Sequence, residues 1–154
     1  MSTLGSSSVL NETKLSDRSY NSVSLKQYIY MSTLASILVA LVAIEHIYIL
    51  WIEMFAWTTK GKEVFKGALP DELFERTQGL AANQGLYNGF LVAGLLWGLF
   101  ITDPSWSVYI QLFFLSCILV AALYGAWRSS KSILFKQGLP AFLALLLVLL
   151  SVYY

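Results

Sequence analysis

Residues 28–57 read YIYMSTLASILVALVAIEHIYILWIEMFAW. The fold turns on whether Glu45-His46 ends a membrane-spanning helix or lies inside one. Between Ile29 and Ile52 there are twelve Leu, Ile and Val residues. They are worth roughly 4 to 7 kcal/mol of insertion free energy, against about 2.5 to 3.5 kcal/mol for an acid at the centre of a span. Insertion therefore survives Glu45, and the sequence predicts one helix over 28–57 with Trp57 as an interfacial aromatic.

Outward from this stretch the composition agrees. The chain of 154 residues is 57% hydrophobic and 12% charged, against roughly 25% charged in a soluble domain. Cutting it at its charges leaves uncharged stretches at 27–44, 77–102, 104–127 and 137–154. Each approaches or exceeds the roughly 18 residues that mark a transmembrane helix. Little chain remains for a soluble domain, and a net charge of +1 supplies no basic surface for nucleic acid. The expected fold is all-α: a polytopic membrane protein built as a four-helix bundle in one domain over 28–154, with spans at about 28–57, 79–101, 105–127 and 137–154. Thr102-Asp103-Pro104 is so short a link that the second and third helices must be antiparallel neighbours, with Pro104 suited to a first helical turn. The single cysteine, Cys117, forms no intramolecular disulfide and reads as packing.

Two segments remain. Residues 1–27 contain eight serines and too little apolar surface to offset ordering entropy, which predicts a disordered tail. A signal peptide needs an apolar stretch behind a basic start, and none is expected before Tyr28. The link 58–78 carries Pro70 followed by Asp71 and Glu72, a helix-start signature, with Leu69, Leu73 and Phe74 placed to lie on a membrane surface. A short interfacial helix is expected there. Lys60, Lys62, Lys66, Arg76, Arg128, Lys131 and Lys136 all fall in the links 58–78 and 128–136, against Lys14, Arg18 and Lys26 elsewhere. The positive-inside rule places both links in the cytoplasm and both termini outside it. Asn11-Glu12-Thr13 is then a glycosylation acceptor if the membrane belongs to a eukaryotic secretory pathway.

At about 100° per residue, Glu45, Ile49, Glu53, His46 and Trp57 occupy an arc of about 120° on the first helix. Asn83, Tyr87, Gln84 and Asn88 occupy a similar face of the second. Both sets lie at one depth, because the first helix ends where the second begins. Ionisable side chains in a bilayer seek protein partners or water, so Glu45 and His46 are expected to meet Asn83, Gln84, Tyr87 or Asn88. The bland reading is that these groups only fix helix register. The functional one makes Glu45, His46, Tyr48, Glu53, Trp57, Asn83, Gln84, Tyr87 and Asn88 the lining of an intramembrane pocket. A metal is not expected: His46 and Glu53 are about 10.5 Å apart along the axis, too far to share one ion with bonds near 2 Å. No cofactor motif is present. Gly85-x-x-x-Gly89 and Gly94-x-x-x-Gly98 are patterns that admit a close neighbouring backbone, read here as packing within the bundle.

Glu45-His46-Ile47-Tyr48-Ile49, Glu53-Met54-Phe55-Ala56-Trp57 and Ala82-Asn83-Gln84-Gly85-Leu86-Tyr87-Asn88-Gly89 together resemble the signature of the small integral-membrane family catalogued as domain of unknown function 1304. The resemblance covers roughly 32–154 and leaves out the serine-rich tail. It implies a four-helix membrane protein and carries no activity, substrate or catalytic residue. Three functions follow from the residues. The first is binding or transport of a small lipophilic or cationic molecule between the first two helices. The second is a lipid or isoprenoid isomerase-like enzyme with Glu45 as the acid, His46 or Glu53 as proton relay, and Tyr48, Trp57 or Tyr87 steadying a positive intermediate. The third is a structural subunit whose glycine faces dock a partner. The bilayer is the expected partner in all three, and the oligomeric state is open.

Overall fold

The helix does not stop at Glu45-His46. In the computed structural model, which describes residues 4–67 and 69–153, α1 is continuous over Leu4–Phe55. There is no backbone break at residue 27, where the tail was expected to end. Side chains up to residue 21, and at 23, lie outside the described residues, and the expectations for a disordered tail and for Asn11 fall on them.

Beyond Phe55 the chain turns at Ala56, where φ is −130°, and winds through one π-helical turn, Trp57–Gly61, in which the Gly61 N–H donates to the Ala56 carbonyl at 2.8 Å. A short helix α2, Lys62–Val64, follows. Gly67 then adopts φ +84°, a left-handed conformation open to glycine at little cost. Helix α3 is Leu73–Phe100, α4 is Pro104–Arg128, and α5 is Leu139–Tyr153, entered through a second π-helical turn, Leu134–Gly138. Among the described residues there is no strand.

The Pro70 signal is genuine but opens a longer element than expected. The Leu73 N–H donates to the Pro70 carbonyl at 3.0 Å, and the helix then continues to Phe100. No separate interfacial helix occupies 69–76. The reason is Phe74, which is fully buried with its ring 5.0 Å from that of Trp57. A ring held there pulls the first turn of α3 into the protein. Pro104 does sit in the first turn of α4, where Asp103 caps the helix by accepting from the Trp106 N–H at 2.9 Å.

Helix α1 packs against α3 and α5, and α4 packs against the same two. Their shared interior holds Val39, Val42, Leu95, Leu115, Ile118 and Ala144. On α5 the buried residues are Ala141, Ala144, Val148 and Ser151, a stripe at helical spacing whose alanines let the neighbouring helices come close. The glycine pairs divide between two seams. A Cβ on Gly85 would lie 2.6 Å from Met54 Cγ and 3.1 Å from the Leu50 carbonyl oxygen, so this pair seats α3 on α1. A Cβ on Gly94 would collide with the ring of Phe114, and one on Gly98 would lie 2.8 Å from Gln111 Cγ, so that pair seats α4 on α3.

Among the described residues three segments are long and apolar enough to cross a membrane: Ser24–Phe55, Pro104–Arg128 and Leu134–Tyr153. They suggest a membrane protein. Helix α3 is not among them, because Asn83, Gln84, Asn88 and five glycines dilute its 28 residues.

Candidate functional site

The polar residues of α1 separate to two sides of the helix. Glu53 faces α3, and its Oε2 accepts from Asn88 Nδ2 at 2.7 Å. Asn88 is 8% exposed, so this bond lies in the seam that Gly85 and Gly89 open. A small residue on each side of Asn88 lets α1 approach closely enough for a short acid and a short amide to meet.

His46 takes no part in that contact. It is 1% exposed, and its Nδ1 lies 2.9 Å from the Val42 carbonyl oxygen, one turn back on its own helix. A carbonyl can only accept, so Nδ1 carries the hydrogen. His46 falls on the buried stripe formed by Val39, Val42, Ile49 and Ile52, where it fills space as a core residue while keeping its polar edge satisfied.

Glu45 lies further round α1, on the flank next to that stripe. It lines a cavity of 380 Å³ whose apolar wall includes Ile49, Ile52, Phe65 and Ile133 and whose rim carries Lys66, Lys136 and Ser129. The floor is α1, one edge is the turn after α2, and the other edge is the link from α4 to α5. The second π-helical turn supplies Lys136 at that edge, and irregular turns of this kind recur at binding sites because they re-aim a side chain. Glu45 is half-buried and forms no ion pair. Among the described residues only Lys60 and Glu63 do so, on the exposed link, where hydrogen bonding to the Glu63 carboxylate raises the Lys60 ammonium above its usual range.

The expected meeting of Glu45 and His46 with the α3 amides is therefore not found. Glu45 and Glu53 are about 80° apart around the helix and about 12 Å apart along it, wide enough for one to face α3 and the other a cavity on the adjoining flank. Tyr48 shares the Glu45 cavity and is 46% exposed. Asn83, Gln84 and Tyr87 are exposed. Trp57 closes the link: its Nε1 donates to Thr77 Oγ1 at 3.1 Å, and its ring packs between Phe65 and Phe74.

A second polar cluster escaped the sequence reading. Gln111 is 6% exposed, and its Nε2 donates to the Gly98 carbonyl at 3.1 Å and to Ser107 Oγ at 2.9 Å. The Ser107 hydroxyl donates to that same carbonyl at 2.7 Å. The available signal was a lone amide in an apolar stretch with a serine one turn before it. Among the described residues no three His, Cys, Asp or Glu side chains gather to hold a metal.

Comparison with known proteins gives a family. A model described as "Protein of unknown function (DUF1304)" matches residues 40–149. The "Uncharacterized protein YpaA" of Lactococcus lactis subsp. lactis (strain IL1403) is 40% identical over 119 residues, which cover 75% of this chain and 97% of that protein. No solved structure matches.

Proposed function

The chain belongs to the family of proteins of unknown function designated DUF1304, so membership brings no activity, and we propose from the geometry that this member binds a small lipophilic cation at Glu45. In this reading the four long helices cross a membrane as a bundle formed by 28–154, with the links 58–78 and 128–136 on the cytoplasmic side. Large exposed apolar residues support the membrane setting. Phe100 is 79% exposed, Trp97 58%, Val120 66% and Phe135 69%, a display that water would penalise and lipid tails accept. Helix α3, whose sequence is diluted by amides and glycines, serves as a span because α1 and α4 cover its glycine faces.

The observation that carries the proposal is the placement of Glu45: an acid without an ion pair in the wall of a cavity that it shares with Ile49, Ile52, Val64, Phe65 and Ile133, and with hydroxyls, an amide and two lysines. A carboxylate in such a place attracts a cationic or hydrogen-donating group, while Ile49, Ile52, Phe65 and Ile133 take the apolar body of the same molecule. Lys66 and Lys136, both exposed on long stems, stand at the rim, where their charge is screened and where an anionic end of the ligand finds a partner.

The test is the molecule that co-purifies with the protein from its native membrane. Mass spectrometry should detect an organic cation or amine with wild type and lose it with Glu45→Gln, the variant accumulating normally. Recovery of the same molecule at equal occupancy from Glu45→Gln would sink the proposal. Its recovery chemically unchanged after incubation separates binding from turnover with Glu45 as acid.

A further inference from the structure

The Glu45 cavity carries charges of both signs. Among the described residues that line it, Glu45 is the only acid and Lys66 and Lys136 are the only bases. None of the three forms an ion pair, so an acid and two ammonium groups share one cavity without meeting across it. Their arrangement has an order. Glu45 lies ten residues before Phe55, about 15 Å from the end of α1, whereas both lysines belong to the links. Lys66 is held in the turn where Gly67 takes φ +84° and where Lys66 and Leu69 form a backbone bridge, and Lys136 in the π-helical turn Leu134–Gly138. Ile49 and Ile52 follow Glu45 along α1 toward the links, and Val64, Phe65 and Ile133 complete the wall. The apolar surface therefore lies between the acid and the bases.

This order selects among ligands. A simple cation at Glu45 sits in the field of two lysines with nothing to offset them, and a simple anion at the lysines faces the acid. Screening at the rim weakens both effects without reversing them. A molecule with both charges, set apart in the same order, finds the opposite sign at each end. Zwitterionic phospholipids do not match: a short link joins their two charges and the apolar part lies beyond both, so the bilayer's own lipids present the wrong sequence of parts.

We propose, resting on the reading that Glu45 holds a cation, that the ligand of this cavity is an elongated zwitterion whose charges are separated by an apolar middle. Its cationic nitrogen meets Glu45, its middle lies against Ile49, Ile52, Phe65 and Ile133, and its oxyanion meets Lys66 and Lys136. The Ser129 hydroxyl, which also lines the rim, supplies a further donor to the oxyanion. Because the lysines come from different links, the anionic end joins the link 58–78 to the link 128–136, which a cation alone does not do.

Calorimetric titration of the full chain in lipid nanodiscs tests this by comparing 6-(trimethylammonio)hexanoate with its methyl ester, which keeps the cation and the apolar middle and lacks the anion. Each is corrected for partitioning into empty nanodiscs. Wild type should bind both saturably, the hexanoate at least tenfold tighter. The shorter 3-(trimethylammonio)propanoate should gain nothing over its own ester, because its anion stops short of the rim. Lys66→Gln with Lys136→Gln, both at exposed positions, should cut the advantage of the hexanoate to twofold or less, and Lys66→Arg with Lys136→Arg, which keeps the charges, should preserve it. Equal binding of hexanoate and ester by wild type, or an advantage that survives the glutamine pair, overturns the zwitterion and leaves the cation site standing. Ester binding that is absent from wild type, or unchanged by Glu45→Gln, places the failure at the cation site itself, and the zwitterion falls with it.

Discussion

At Glu53 one hydrogen bond decides how a charged side chain is tolerated between two helices. The Asn88 amide donates to its carboxylate at 2.7 Å in a seam that glycines hold close. Asn88→Ala should destabilise the protein by about 1 to 2 kcal/mol, since bonds of this kind between membrane helices are worth about 0.6 to 2 kcal/mol. Unfolding in a denaturing-detergent titration measures this, and a double-mutant cycle with Glu53→Gln isolates the pair. His46 behaves differently, because its hydrogen bond closes within α1. His46→Leu keeps the buried volume approximately and removes the polar edge with its partner on the same helix. It should change stability by less than about 1.5 kcal/mol, whereas His46→Ala leaves a cavity and should cost about 2 to 4 kcal/mol. A large loss in His46→Leu would show that the imidazole does more than pack.

Among the elements, α3 shows most clearly what glycine is for. Gly85, Gly94 and Gly98 face atoms within van der Waals contact of a Cβ, while Gly79 faces open space. Gly94→Leu should therefore fail to assemble a stable fold, and Gly79→Ala should be neutral or stabilising by up to about 1 kcal/mol. Thermal unfolding in detergent compares them, and similar losses in both would refute the seam assignment. Trp57→Ala removes the ring between Phe65 and Phe74 and the bond to Thr77. It should destabilise by about 3 kcal/mol and loosen the entry to α3, read by faster amide exchange over residues 57–77. These elements also mark where sequence reading succeeds. Continuity through Glu45 was legible because apolar insertion energy outweighs one acid, and the Asp103-Pro104 start of α4 was legible because its cap chemistry is local. The start of α3 was misread by several residues because the burial of Phe74 depends on Trp57, a partner seventeen residues away. Two acids about 80° apart looked like one site because a helical wheel gives the face of a residue and not the neighbour beyond it.

For the whole molecule, long apolar helices and exposed aromatic rings suggest a membrane setting, and the orientation proposed for it rests on the positive-inside rule. With Cys117→Ser as background, single cysteines at Lys62 and Ser132 should react with an impermeant maleimide from the same, cytoplasmic, face; labelling from opposite faces would refute the topology. The central claim is that Glu45 makes its cavity a cation site. It is tested most directly by titrating benzyltrimethylammonium, which cannot donate a hydrogen bond, into wild type and Glu45→Gln in nanodiscs. The account predicts saturable binding to wild type and at least a tenfold loss, about 1.4 kcal/mol, in a Glu45→Gln chain that keeps its helix content. Equal affinity in the two chains would contradict it.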